Sequence, residues 1–169
     1  MSFAEKTLIA LSSILVALMV VLMNVEVFMR YAFSTSTKIS EEFSGYMFAI
    51  ATVLAFVPAL MRGRFLRIGA GLALMPLRIR AVFELLVGLI SAAFCLVLTV
   101  QVWSLFRTSV EFGSVSEGYS ATPLMYPQAI LAPALALLSV AMLARGITLS
   151  RELWQGNTSM LMEEENVVD

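Results

Sequence analysis

Uncharged residues run without interruption at 7–25, 43–61, 85–106 and 118–144, and every charged residue lies outside these stretches. Each is 19 residues long or longer, and the hydrocarbon core of a bilayer is crossed by ~20 helical residues. The pattern predicts an all-α membrane protein with four transmembrane helices, at approximately 7–31, 40–61, 81–106 and 123–145. A short interfacial segment separates helices 2 and 3, and a tail, 146–169, follows helix 4. The expected architecture is one membrane domain, 1–169, built as a small four-helix bundle. Little chain is left for a soluble catalytic domain.

Composition agrees, with 60% of residues hydrophobic and 14% charged. The distribution of charge says more than the net of −1. With four spans, the two termini and the loop between helices 2 and 3 share one side. That side carries Lys6, Arg62, Arg64, Arg67, Arg78, Arg80, Arg145 and Arg151, against Arg30, Lys38 and Arg107 on the other. Basic residues concentrate in the cytoplasmic loops of membrane proteins, so both termini are expected in the cytoplasm. The acidic run Glu163-Glu164-Glu165 leaves this unchanged, because carboxylates contribute little to the rule. Helix 1 follows Lys6 as a signal peptide would, yet its apolar run is long and leads into Glu26-Val27-Phe28-Met29-Arg30 rather than a small-residue cleavage site. A retained helix is expected.

Several local features refine the spans. Glu26 and Arg30 stand one turn apart with the acid first, the favourable order for a helical ion pair. The alternative is an intramembrane carboxylate that couples to an ion or substrate. Ser34-Thr35-Ser36-Thr37 reads as a polar turn, with Ser40 as N-cap of helix 2 and Glu41 and Glu42 in its first turn, where the helix dipole favours negative charge. Gly45 with Ala49, and Ala51 with Ala55 and Ala59, place small residues four apart for close helix approach. Between helices 2 and 3, Arg62, Arg64, Arg67, Arg78 and Arg80 flank an apolar piece, 66–77, too short to span. Basic residues beside such a piece suit anionic headgroups. The connection 107–122 is the longest on the other side and holds Glu111 and Glu117. Pro123 and Pro127 fit the entrance of helix 4, whereas Pro133 predicts a kink or break inside it.

Candidate chemistry is sparse. The chain has no histidine, which excludes His-ligated haem and His-containing zinc sites, and its single cysteine, Cys95, reads as a small core hydrophobe. No nucleophile–base set, phosphate loop or metal-ligand cluster is recognisable, so no catalytic, cofactor or metal residues are assigned and no enzyme is expected. The basic cluster lacks the aromatics of a nucleic-acid surface. Transport by this chain alone is awkward, because its spans offer few polar side chains to coordinate a solute.

Arg30-Tyr31, then Ser40-Glu41-Glu42 and Gly45-Tyr46-Met47-Phe48, resemble the first hairpin of the small membrane subunits of TRAP (tripartite ATP-independent periplasmic) transporters, of the DctQ type. Thr122-Pro123-Leu124-Met125-Tyr126-Pro127-Gln128, followed by Pro133, is similar to that family's proline-bearing entrance to helix 4. The resemblance covers the span order from about 5 to 145; the family's frequent histidine and acidic residue after helix 2 have no counterpart in 63–69. It implies a small scaffold subunit of a sodium-coupled, binding-protein-dependent secondary transporter for organic acids. The chain would enlarge and anchor the fixed scaffold of a large elevator-type membrane subunit, in the bacterial or archaeal cytoplasmic (inner) membrane. It would contribute no ion or substrate ligands. Under this resemblance Arg30, Glu41, Glu42 and Tyr46 become candidates for the interface with the large subunit, and Glu111 and Glu117 for contact with the periplasmic binding protein. For the two helix 2 glutamates, capping and a salt bridge remain the alternative. Arg62, Arg64, Arg67, Arg78 and Arg80 are expected at lipid headgroups. The rival is a stand-alone four-helix, proton-coupled exporter acting as a dimer through Glu26.

Overall fold

The computed structural model describes residues 3–62 and 76–155. Apolar sequence without water to satisfy its backbone must close its hydrogen bonds within each segment, and helices do this. Four are formed: α1 (Phe3–Phe33), α2 (Ser40–Met61), α3 (Leu77–Phe112) and α4 (Met125–Trp154). All four are long and apolar enough to cross a membrane. Among the described residues the only extended pairing is an isolated bridge between Val115 and Pro123.

α2 spans 40–61 as expected, whereas the other three helices are longer than expected or shifted. Pro76 takes an extended conformation (φ −56°, ψ 141°) as N-cap, and Arg80 N–H reaches its carbonyl at 3.0 Å, so α3 starts at Leu77 rather than 81. Arg78 and Arg80 therefore lie on its first turn, not in a loop. At its far end α3 continues to Phe112, where Gly113 (φ +60°) ends it in the left-handed conformation. Its 36 residues make a rod of about 54 Å, well beyond the hydrocarbon thickness. Likewise α4 runs on through Gly146 to Trp154, because Leu149 and Leu153 (each 1% exposed) seal against Ala81 of α3. Pro133 does not break α4. It sits between the buried Ala132 and Ala134, while Pro123 lies ahead of the helix and Pro127 in its first turn. The N-cap of α2 is Ile39, already helical (φ −105°, ψ −17°), and Ser40 is buried with no capping bond rather than serving as the expected cap. The interfacial segment, with Arg64 and Arg67, and the end of the tail lie outside the described residues.

The helices do not form an evenly closed bundle. α4 packs along α3 and also against α2, and α1 rests chiefly on α2; other pairs meet only marginally. Val57 of α2, Cys95 of α3 and Leu138 of α4 form the junction, with Leu8 of α1 against it. α1 is thus an edge: just 6% of its most apolar 18-residue window is buried.

The α3–α4 seam is the tightest contact. Small or short residues recur on α3 at Ala81, Gly88, Ala92 and Cys95, the three-and-four spacing of one helix face. A Cβ on Gly88 would stand 2.7 Å from Cα of Gly146, and one on Gly146 would stand 2.9 Å from Cα of Gly88. Further along the seam, the buried Ser139 hydroxyl donates to the Ala92 carbonyl at 2.8 Å. In lipid, where tails are as apolar as leucine, such backbone proximity and interhelical bonding hold helices together. The small residues singled out on α2 do less: Ala51 is buried, but Gly45 is exposed, and a Cβ added there would meet nothing within 4 Å. Gly88→Ala and Gly146→Ala are each expected to cost about 1–3 kcal/mol through backbone overpacking. Gly45→Ala is expected to be neutral or stabilising by up to about 1 kcal/mol. Thermal denaturation of the detergent-purified variants checks this ordering.

Candidate functional site

A carboxylate at the end of an apolar helix needs donors, because burial without partners is expensive. Glu26 is 5% exposed and finds four such contacts. Arg30 Nη2 donates to Oε1 at 3.1 Å, Thr37 N–H donates to Oε2 at 2.9 Å, and the Ser36 and Thr37 hydroxyls donate to Oε1 and Oε2 respectively. The polar turn thereby wraps the carboxylate. Ser34 (φ +51°) and Lys38 (φ +59°) adopt the left-handed conformation on either side of that wrap. Arg30 itself stays largely outside, its side chain 60% exposed. The expected Glu26–Arg30 pair forms, yet the hydroxyls and amide of 36–37 supply most of the bonds.

A second carboxylate ties the two connections at this end of the molecule. Glu42, on the first turn of α2, accepts from the Tyr46 hydroxyl at 2.9 Å and from the Ser120 hydroxyl at 2.6 Å. Ser120 also bonds Thr122 at 2.7 Å. The receiving loop, 113–124, is a small hairpin: Ser116 N–H reaches Thr122 O at 2.9 Å and Leu124 N–H reaches Ser114 O at 3.1 Å. It closes onto Glu42 at Gly118, where an added Cβ would collide with the carboxylate. Nearby, Lys38 Nζ lies 4.8 Å from the centre of the Tyr119 ring, a cation–π contact between the same two connections.

At the opposite end Arg62 Nε lies 3.8 Å from Glu5 Oε2, joining the start of α1 to the end of α2. The α1–α2 hairpin is therefore held at both ends, by Glu26 at its turn and by Glu5–Arg62 at its mouth.

The sequence candidates fall into distinct groups. Glu42 and Tyr46 bond each other, and through Ser120 they engage the α3–α4 connection. Glu41 is exposed beside them. Arg78 is exposed and Arg80 half-buried on α3, and Arg62 is half-buried against Glu5. Glu111 is exposed on the last turn of α3, and Glu117 is exposed in the hairpin. Sequence reasoning missed Ser36, Thr37 and Ser120 as partners. Ser120 lies 78 residues from Glu42, so only the folded topology brings the two together. No group of three or more His, Cys, Asp or Glu residues that could hold a metal ion occurs among the described residues.

The arrangement can fix connections and orient helices through the bonds that Glu26 and Glu42 accept. These features define a small multi-pass membrane protein of all-helical class. Residues 19–152 match the family model described as Tripartite ATP-independent periplasmic transporters, DctQ component, and the chain belongs to this family: it is the small membrane subunit of a TRAP transporter. Comparison with curated proteins and with solved structures found no match.

Because the Thr37 amide and both hydroxyls bond Glu26, Glu26→Ala is expected to speed hydrogen–deuterium exchange at Thr37 more than Arg30→Ala does. Amide exchange of the detergent-solubilised protein, read by mass spectrometry, checks the order.

Proposed function

We propose that the chain is the scaffold subunit of a sodium-coupled, binding-protein-dependent secondary transporter for organic acids. In this reading a large elevator-type subunit carries the sodium and solute sites, and the small subunit widens and anchors its fixed part. The observation that carries the reading is the engagement of Glu26 and Glu42 by neighbouring donors within a chain of the TRAP small-subunit family. Neither carboxylate is arranged as a ligand for cargo. A proton-exchanging role for Glu26 fits poorly, since an exchanger must release the partners that hold the α1–α2 turn together. No catalytic role is proposed.

The same reading puts the protein in the bacterial or archaeal cytoplasmic (inner) membrane with both termini cytoplasmic. The basic excess around Arg62, Arg78, Arg80, Arg145 and Arg151 supports that orientation. It also supports contact of Arg62, Arg64, Arg67, Arg78 and Arg80 with lipid headgroups. The exposed flank of α1, with Arg30 and the neighbouring Glu41, is the proposed meeting place with the large subunit. Glu42 and Tyr46 shape that corner from within. Glu111 and Glu117 face the compartment of the periplasmic binding protein in this orientation and are proposed to touch it.

A tagged chain drawn from mildly solubilised native membranes is expected to bring a large polytopic membrane protein in near-equal amount, identified by mass spectrometry. Recovery of the chain alone, or with only its own copy, contradicts the assignment of a scaffold role. Glu111→Ala with Glu117→Ala is expected to weaken docking of the binding protein without loss of the complex. Unchanged docking and uptake would remove both residues from that interface.

A further inference from the structure

Away from Glu26 and Glu42, four charged side chains flank the α3–α4 seam: Arg80 and Glu84 on α3, Arg145 and Glu152 on α4. Glu84 is 5% exposed, and Arg80 Nε, Arg145 Nε and Glu152 Oε2 are likewise shut off from solvent. All four lie on one side. Val57 of α2 packs on Cys95 of α3 and on Leu138 and Ala141 of α4, which marks the flank of the pair that α2 covers. Helical steps back from Cys95 reach 91, 88, 84 and 80, and steps on from Ala141 reach 145, 149 and 152, so the four charges continue those two faces. From α2 and α1 this end receives Arg62 and Glu5, 3.8 Å apart and opposite in charge.

Across the seam the signs alternate. A Cβ on Gly146 would stand 3.5 Å from the Glu84 carbonyl oxygen, so Glu84 and Arg145, the residue before Gly146, share a level. Ala81 packs on Leu149 and Leu153, so Arg80 and Glu152, the residues before Ala81 and Leu153, share the next. Because the helices run antiparallel, each level sets one acid across from one base.

We infer that these four residues are an electrostatic register lock between α3 and α4. The Gly88–Gly146 contact sets how closely the helices approach, and the charges select which turn faces which. A slip of α4 by one turn, about 5 Å, toward the C-terminal end of α3 would bring Glu152 level with Glu84. The opposite slip carries Arg145 toward Arg80. Both bring like charges together where little water screens them. Arg80 Nε and Glu152 Oε2 find no hydrogen-bond partner among the described residues, so their gain across the seam is coulombic rather than tied to one bond. Fixing register is the best-attested use of buried charge, which by itself adds little stability. The competing arrangement is an Arg80–Glu84 pair one turn apart within α3. Such a lock is independent of the scaffold role.

Spin labels at the exposed positions 83 and 130, introduced as Phe83→Cys and Ile130→Cys in the full chain with Cys95→Ser, report the register by double electron–electron resonance in liposomes. Their separation along the helix axes is about 28 Å, so a one-turn slip moves it by about 5 Å. Glu84→Arg is expected to shift or split the distance by that amount, and Arg145→Glu added to it to restore the original peak. Arg80→Glu added instead should not restore it. The chain with Glu84→Gln and Arg145→Gln introduces no repulsion, so it keeps the test readable where the reversed chain does not fold; its peak is expected to broaden. Restoration by Arg80→Glu as complete as by Arg145→Glu would mean pairing within α3 alone and would overturn the lock. An unchanged peak in the reversed and neutral chains alike would mean that the glycine contact sets the register unaided, and would overturn it too.

Discussion

The structure depends on the demand of one carboxylate for donors at the end of an apolar helix. Glu26 follows a long run of uncharged residues, and α1 offers it only Arg30 one turn away. The remaining donors come from the turn that follows, and their approach fixes the path into α2. The direction of α2 then sets where Glu42 projects, and Glu42 in turn captures Ser120 of the α3–α4 connection. Two chain reversals far apart in sequence are thereby locked into one polar layer. Charged groups in such a layer are costly when alone and stabilising when their partners are complete.

The other end is held by different physics. Hydrophobic burial does little to bring helices together in lipid, so close backbone contact and a few interhelical bonds must serve. Gly88 against Gly146, and Ser139 to Ala92, provide them between α3 and α4. The outcome is an asymmetric bundle: a tight α3–α4 pair, α2 against it, and α1 as a thinly covered edge.

Much of this was legible in the sequence. Charge-free runs revealed the number and order of helices, because lipid leaves no other way to satisfy the backbone. The family was visible in the Ser40-Glu41-Glu42 and Pro123-to-Pro127 segments, which the family model covers. Helix ends were harder. Pro76 starts α3 a turn early through its own backbone geometry, whereas Leu149 and Leu153 extend α4 by packing on Ala81. The glycine seam was hidden for a related reason: Gly45 and Gly88 look alike in sequence, and only the neighbour across the gap distinguishes an open position from a contact. Ser40 illustrates the limit of capping rules, since its preceding residue already turns into the helix.

The central claim is that Glu26 and Glu42 hold this subunit in shape and take no part in moving solute or ions. The most direct measurement is uptake by the reconstituted transporter carrying Glu26→Gln, normalised to the amount of assembled complex. The account predicts less assembled complex, with the rate per complex, the sodium dependence and the pH dependence unchanged. Full assembly with uptake abolished, or with a shifted pH or sodium dependence, would contradict it.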